Sequence, residues 1–314
     1  MTTILITGVT GFAGSNLVRY FDALNDIRVL GHSRDRARAL KQFKDNHIDF
    51  IDEISAEEIS KRKVDVIIHL AGIAHDLSNQ FGPEDYYRVN DKGTRKIYHE
   101  FLQSSAKKFI YLSSIKAVAD VARKPVSEDA SPSPATHYGI SKQLAEAYIQ
   151  ELSGNIDKQY YILRPCMIHG PGNKGNLNLL YKYVRLGLPF PLGSFDNKRS
   201  FLNVDNFNFI IENLIRNNIP SGIYHLADSG CLSTAELVRT IGKALNRRVM
   251  VWNIPKTWIK VLFTITRRRP MLDKLTENML VSNQKLLKEI KRELPVPIDK
   301  GIINTIQSFA RDGK

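Results

Sequence analysis

An apolar run that ends in three glycines, Ile4-Leu5-Ile6-Thr7-Gly8-Val9-Thr10-Gly11-Phe12-Ala13-Gly14, constrains this chain more than any other stretch. It reads as a buried strand turning sharply into a helix, because glycine tolerates the turn's backbone angles and leaves room for close approach. Ser15-Asn16-Leu17-Val18-Arg19-Tyr20-Phe21 continues with helical periodicity, so strand, turn and helix stand in order. In that order the bare glycine backbone and the helix N-terminus can hold the pyrophosphate of a dinucleotide. A tight turn without a ligand asks for the same glycines, so the motif alone does not decide.

Short β-rich runs at 4–6, 28–31, 50–51, 64–70, 108–112 and 160–163 alternate with amphipathic stretches. This predicts an α/β fold, a doubly wound parallel sheet covered on both faces. The order breaks after Arg164-Pro165, where Gly170, Pro171, Gly172, Gly175, Pro189, Pro191 and Gly193 crowd together. The expected organisation is a dinucleotide-binding Rossmann-type domain over 1–168, with returns to the sheet or its edge near 201–227 (201–204 and 222–225), and an interleaved smaller lobe over 169–314. Further helical runs lie at 234–245, 257–266 and 283–294.

Lys and Arg number 45 against 32 Asp and Glu, a formal net charge of +13 that favours anionic ligands or surfaces. No nucleic-acid-binding motif accompanies the charge, so no nucleic-acid partner is expected. The two cysteines, Cys166 and Cys231, lie too far apart for a disulfide framework or a zinc spacing, and a cytoplasmic protein without a metal is expected. No charged start with an apolar core marks a signal peptide, and no apolar run is long enough to span a bilayer.

Tyr138-Gly139-Ile140-Ser141-Lys142 puts a phenol and an ammonium at i and i+4, on one helix face. An ammonium beside a phenol is expected to lower the phenol's pKa and so make a usable acid/base. A solvated helix face carries the same spacing by chance. Upstream, the strand Phe109-Ile110-Tyr111-Leu112 ends in Ser113-Ser114, a hydroxyl pair at the carboxyl edge of the sheet that either meets a ligand or caps a turn.

With these residues in view, the chain resembles the extended short-chain dehydrogenase/reductase superfamily, specifically its nucleotide-sugar epimerase and reductase members. Thr7-Gly8-x-x-Gly11-x-x-Gly14 matches the cofactor turn, His69-Leu70-Ala71-Gly72 the strand end lying along the cofactor, and Val89-Asn90-x-x-Gly93-Thr94 the helix with an active-site Asn. Leu163-Arg164-Pro165 and His169-Gly170-Pro171-Gly172 resemble segments near the nicotinamide. Arg199-Ser200-Phe201-Leu202-Asn203-Val204-Asp205 resembles the segment whose Arg grips the substrate diphosphate. The resemblance implies that Ser114, Tyr138, Lys142 and Asn90 are catalytic. Tyr138 would be the acid/base for the sugar C4 oxygen, Lys142 would depress its pKa and bind the nicotinamide ribose, Ser114 would hydrogen-bond the reacting oxygen, and Asn90 would hold the helix and a water in a proton relay. The cofactor would lie on Gly8, Thr10, Gly11, Phe12, Ala13, Gly14, His32, Ser33, Arg34, Leu70, Ala71, Gly72 and Pro165, besides Tyr138 and Lys142. Ser114, Asn176 and Arg199 would meet the substrate.

Departures from the family pattern refine this. Members that prefer NAD end the second strand in an acidic residue; here Gly31-His32-Ser33-Arg34 has no carboxylate, and Ser33 with Arg34 suits the 2′-phosphate of NADP, unless Arg34 is one more solvated charge. Ile115-Lys116 after Ser114 replaces the Asp-Glu pair of sugar dehydratases. His169 stands for the family's tyrosine and is read as a packing variation. The activity implied is an NAD(P)-dependent C4 epimerase or 4-keto reductase on a UDP-(N-acetyl)hexose in surface-polysaccharide precursor synthesis. The rivals are a non-catalytic NAD(P)-binding sensor or scaffold, and a membrane-associated enzyme on lipid-linked sugar. Family members often dimerise through helices, and a homodimer through stretches near 86–101 and 138–152 is expected.

Trp258-Ile259-Lys260-Val261-Leu262-Phe263-Thr264-Ile265-Thr266, followed by Arg267-Arg268-Arg269, is expected to be a buried helix of the smaller lobe with a solvated basic end. The alternative is a helix lying on an anionic membrane, arginines on headgroups. Arg268 or Arg269 could also reach the substrate diphosphate.

Overall fold

The structure, a computed structural model, describes residues 1–74, 80–154, 157–173 and 175–312, with the backbone alone at 176, 270 and 312. Eleven strands are described: β1 (Thr2–Thr7), β2 (Ile27–His32), β3 (Ile48–Phe50), β4 (Val66–His69), β5 (Lys108–Leu112), β6 (Ala122–Val126), β7 (Gln159–Pro165), β8 (Met167–His169), β9 (Phe201–Asn203), β10 (Gly222–Leu226) and β11 (Met279–Val281). Seven form one sheet in the order β10-β7-β5-β4-β1-β2-β3, every neighbouring pair parallel. The chain runs outward from β1 to β3 and then returns to β4 on the other side of β1, so the strand order reverses between β1 and β4. In open parallel sheets the crevice at the carboxyl ends of two such strands is where ligands bind.

Alternate residues of each strand feed opposite apolar layers. Ile4, Ile6, Val66, Ile68 and Ile110 pack on one side of the sheet. Leu5, Ile67, Phe109, Tyr111 and Ile162 pack on the other. Burial on both faces is why these strands read as unbroken apolar runs. A third cluster gathers Tyr181, Phe190, Leu237, Ile241, Ile259, Ile302 and Ile306 from the C-terminal half.

Of the two late segments expected to return to the sheet, β10 forms its edge strand, whereas β9 pairs with β8 in a separate two-stranded ladder. A second ladder joins β6 to β11. Neither short ladder has a local signal: each strand is completed by a partner far along the chain. The C-terminal helix Ile298–Asp312 is likewise an addition, packed on the helix Thr234–Ala244.

The expectation of a buried helix over 257–266 is overturned. The helix Lys256–Ile265 inserts Ile259 into the third cluster, with Phe263 partly covered, and leaves Trp258, Val261, Leu262 and Ile265 exposed. Among the described residues no helix is long and apolar enough to cross a membrane.

Candidate active site

The turn after β1 is pressed against the segment after β4. Gly8 has φ +72°, and a Cβ there would lie 2.7 Å from the Ala71 amide nitrogen, so no other residue fits without moving backbone. Thr7 Oγ1 ties the two strand ends by accepting a hydrogen bond from Ala71 N at 3.2 Å. The helix Phe12–Asp22 begins at Gly11 with no side-chain cap. An uncapped helix N-terminus beside bare glycine backbone suits a pyrophosphate, so these residues fit the dinucleotide that the sequence motif implies.

His69 ends β4 fully enclosed, its Nδ1 2.7 Å from Thr7 Oγ1 and its Nε2 3.0 Å from Thr94 Oγ1. Thr94 gives its own proton to Asn90 O at 2.7 Å, so Nε2 carries the hydrogen that Thr94 accepts and Nδ1 accepts from Thr7. Burial first, and then the nearby Lys142 and His32, push the imidazole pKa down to about 3. It is a neutral structural link.

Asn90 lies in a π-helical turn, Tyr87–Lys92, that widens the backbone locally and turns the amide inward. Its Nδ2 donates to Ile73 O at 3.0 Å and to Ser141 Oγ at 3.1 Å, and its Oδ1 accepts from Ile73 N at 2.8 Å. Both amide hydrogens are therefore spent on protein partners, binding the post-β4 segment to the helix His137–Leu152. Gly72 lets the three parts meet, since a Cβ there would come within 2.9 Å of Asn90 Oδ1 and 3.1 Å of Lys142 Nζ.

The helix His137–Leu152 starts at Thr136, whose side chain accepts from Gly139 N at 3.1 Å. That cap sets Tyr138 in the first turn, half-buried, beside Ser114 and edge-on to Tyr86 at 6.3 Å between ring centres. Ser114 follows β5 and accepts from Lys116 N at 3.2 Å, so the serine caps the turn while lying next to the phenol. Lys142, one turn on, is buried; its Nζ donates to Leu112 O at 2.8 Å and lies 4.8 Å over the Tyr111 ring.

The expected depression of the Tyr138 pKa by Lys142 does not hold. Burial raises the phenol above its ordinary value, opposed by the Ser114 hydrogen bond and reinforced by Tyr86 and Glu146. Burial also lowers Lys142 to about 8, against the pull of Glu146. The ammonium is directed at a backbone carbonyl, which is why its spacing from Tyr138 does not translate into phenolate.

Beneath these residues lies a polar network that the motifs missed. The Ser113 hydroxyl donates to Glu146, Glu146 pairs with Arg164, and Arg164 Nη1 reaches His225 Nε2 at 3.4 Å. His225 in turn donates from Nδ1 to Val126 O at 3.1 Å. The signal available was a third polar residue at the same spacing, Tyr138, Lys142 and Glu146 at i, i+4 and i+8.

The remaining candidates sit apart from this cluster's hydrogen bonds. His32 ends β2 beside Thr7, and burial lowers its pKa. Ser33 Oγ engages the backbone of Asp35, which caps the helix Arg36–Gln42, while Arg34 is exposed. Thr10 lies in the turn after β1, Phe12 and Ala13 open the helix Phe12–Asp22, Leu70 follows β4 and Pro165 ends β7. His169 is fully buried, with Nδ1 2.9 Å from Thr305 Oγ1 and Nε2 3.7 Å from Asp228 Oδ2. Arg199 donates from Nη1 to Lys274 O at 3.1 Å and Glu277 O at 3.2 Å, holding the end of the helix Arg269–Thr276. Asn176 opens the helix Asn176–Arg185, and its side chain lies outside the described residues.

The family model described as "NAD dependent epimerase/dehydratase family" matches residues 4–228. A UDP-glucose 4-epimerase of Vibrio cholerae is 28% identical, over 98% of this chain and 95% of its own length. An Escherichia coli O157:H7 relative, N-acetyl-alpha-D-glucosaminyl-diphospho-ditrans,octacis-undecaprenol 4-epimerase, is 25% identical over 80% of this chain and 75% of its own. The crystal structure of UDP-glucuronic acid 4-epimerase from Bacillus cereus in complex with NAD superposes with a TM-score of 0.78 at 18% identity, covering 100% of both chains. That likeness shows a shared fold over the whole chain.

Proposed function

This chain belongs to the NAD dependent epimerase/dehydratase family of enzymes, and from that premise we propose that it transfers hydride at C4 of the hexose of a nucleotide sugar, as a C4 epimerase or a 4-keto reductase on a UDP-(N-acetyl)hexose. The observation that carries the proposal is the placing of Tyr138 beside Ser114 at the carboxyl edge of the sheet, with Lys142 buried one turn behind it. When bound, NAD(P) supplies the hydride acceptor and donor. Gly8, Gly11 and Gly14 with the N-terminus of the helix Phe12–Asp22 would hold its pyrophosphate, Leu70, Ala71 and Gly72 would flank it, and Lys142 would hold the nicotinamide ribose.

Tyr138 moves the proton of the C4 oxygen, giving it in the reductive direction and taking it in the oxidative one. Ser114 hydrogen-bonds the same oxygen and keeps the phenol aimed at it. Asn90 acts as a positioning residue, its amide spent on Ile73 and Ser141. Ser33 and Arg34, in place of an acidic strand end, support NADP; the Bacillus cereus structure was solved with NAD. Arg199 is the candidate for the substrate diphosphate. A second reading, with the sugar carried on a lipid diphosphate, is favoured by the E. coli relative, whose name specifies such a substrate.

Turnover of Tyr138→Phe on a panel of UDP-sugars, with NAD and NADPH binding measured in parallel, tests the assignment. Turnover should fall by about 10²- to 10⁴-fold with cofactor binding retained. Parental turnover in the variant would remove Tyr138 from the chemistry. Cofactor retained through purification as NAD points to an epimerase, and an empty site that takes NADPH points to a reductase.

A further inference from the structure

The proposed chemistry does not use the helix Lys256–Ile265. Trp258, Val261, Leu262 and Ile265 recur at i, i+3, i+4 and i+7, which sets all four on one face, and each is between 53% and 75% exposed. The helix is fastened to the protein through a different face, by Ile259 and Phe263. An apolar stripe turned to solvent on a helix already anchored elsewhere marks a surface that meets something apolar.

The surroundings are cationic. Lys256, Lys260, Arg267, Arg268 and Arg269 are all exposed. Lys256 lies 3.6 Å from Asp196 and Arg269 3.0 Å from Asp273, whereas Lys260, Arg267 and Arg268 make no salt bridge among the described residues. Arg267 adopts φ +54° where the chain leaves the helix, with Arg268 N donating to Phe263 O at 2.8 Å; glycine is the least costly residue at such a position. The arginine there spends backbone strain to add a charge beside the apolar face.

We propose that this helix docks on an anionic lipid bilayer, its apolar face at the acyl-chain boundary and Lys260, Arg267, Arg268 and Arg269 on lipid phosphates. A second copy of the chain fits less well. Self-association through this face would bring the basic clusters together, and the neighbouring carboxylates, Asp196 and Asp273, are already paired. The docking segment continues into the helix Arg269–Thr276, whose end is held by Arg199. A bilayer-bound surface is thus one helix from the candidate diphosphate residue, although the docking itself does not depend on which substrate is used.

Co-sedimentation of the whole protein with vesicles of phosphatidylglycerol and phosphatidylcholine in equal parts, against pure phosphatidylcholine, tests this. Binding to the anionic vesicles should be at least ~10-fold tighter and weaken with salt. Tryptophan emission should shift to the blue in Trp252→Phe, which keeps Trp258, but not in Trp258→Phe. The Leu262→Ser/Ile265→Ser double variant and the Arg267→Gln/Arg268→Gln/Arg269→Gln triple variant should each lose at least ~10-fold in vesicle affinity with unchanged circular dichroism. Absence of binding by the parent, or undiminished binding by both multiple variants, overturns the proposal. So would a vesicle-free dimer that either multiple variant dissolves, because the face would then belong to a second copy.

Discussion

Glu146 and Arg164 form an ion pair inside the protein, Arg164 Nε 3.1 Å from both carboxylate oxygens and Nη2 2.6 Å from Oε2, with side chains 2% and 3% exposed. The same carboxylate receives the Ser113 hydroxyl, so one group fastens the helix of Tyr138 and Lys142 to the ends of β5 and β7. Glu146→Leu should cost about 3 to 5 kcal/mol in denaturant unfolding, since it strands a buried guanidinium. Glu146→Leu/Arg164→Met should be less damaging than the sum of its parts. Strict additivity in a double-mutant cycle would mean that the pair is not coupled.

Lys142 is held against its charge. Its pKa falls from 10.5 to about 8 on folding, so between those values the unfolded chain binds the proton more tightly, and stability rises with pH across that window. Below about 8 the whole penalty, about 3 kcal/mol, applies. Lys142→Met should therefore be about 1 to 2 kcal/mol more stable than the parent at pH 7, after losing the bond to Leu112 O, with an advantage that shrinks toward pH 10. Urea unfolding at the two pH values checks this; a variant less stable at pH 7 would show that the lysine's contacts outweigh its burial.

His69 titrates in the opposite part of the scale. Its folded pKa, about 3, lies below the ordinary 6.5, so the unfolded chain takes up the proton first as pH falls. Stability should drop from pH 6.5 toward pH 3 by a total on the order of 4 kcal/mol from this group. His69→Leu should flatten that acid limb while costing about 1 kcal/mol at pH 7, because Thr7 and Thr94 keep their contacts with Ala71 N and Asn90 O. An unchanged acid limb in the variant would assign the acid sensitivity to other groups.

Arg34 is exposed at the end of β2, next to Ser33, where the dinucleotide's adenosine ribose would lie. Arg34→Ala should weaken NADPH binding about 10-fold or more and leave NADH binding within about twofold, the pattern of a lost charge-assisted phosphate contact. Fluorescence titration with both cofactors distinguishes this from equal losses, which would indicate a distorted Asp35 cap.

The alternation of strands and helices, the glycine turn and the Tyr138–Lys142 spacing are properties of residues close in sequence, and the chain alone specified them. Period-two burial, the turn preferences of glycine and the one-face rule at i+4 act within a few residues. Tertiary structure decided the rest. It set the direction of the Tyr138 pKa through burial, against the pull of Ser114, directed Lys142 at Leu112 O, and brought Arg164 to Glu146. It also sealed the short β6–β11 ladder and turned the Trp258–Ile265 face of its helix outward, although that helix has the amphipathic spacing of a buried one. Each of these depends on desolvation and on partners supplied by distant parts of the chain, and periodicity along the sequence does not encode which face a neighbour will cover.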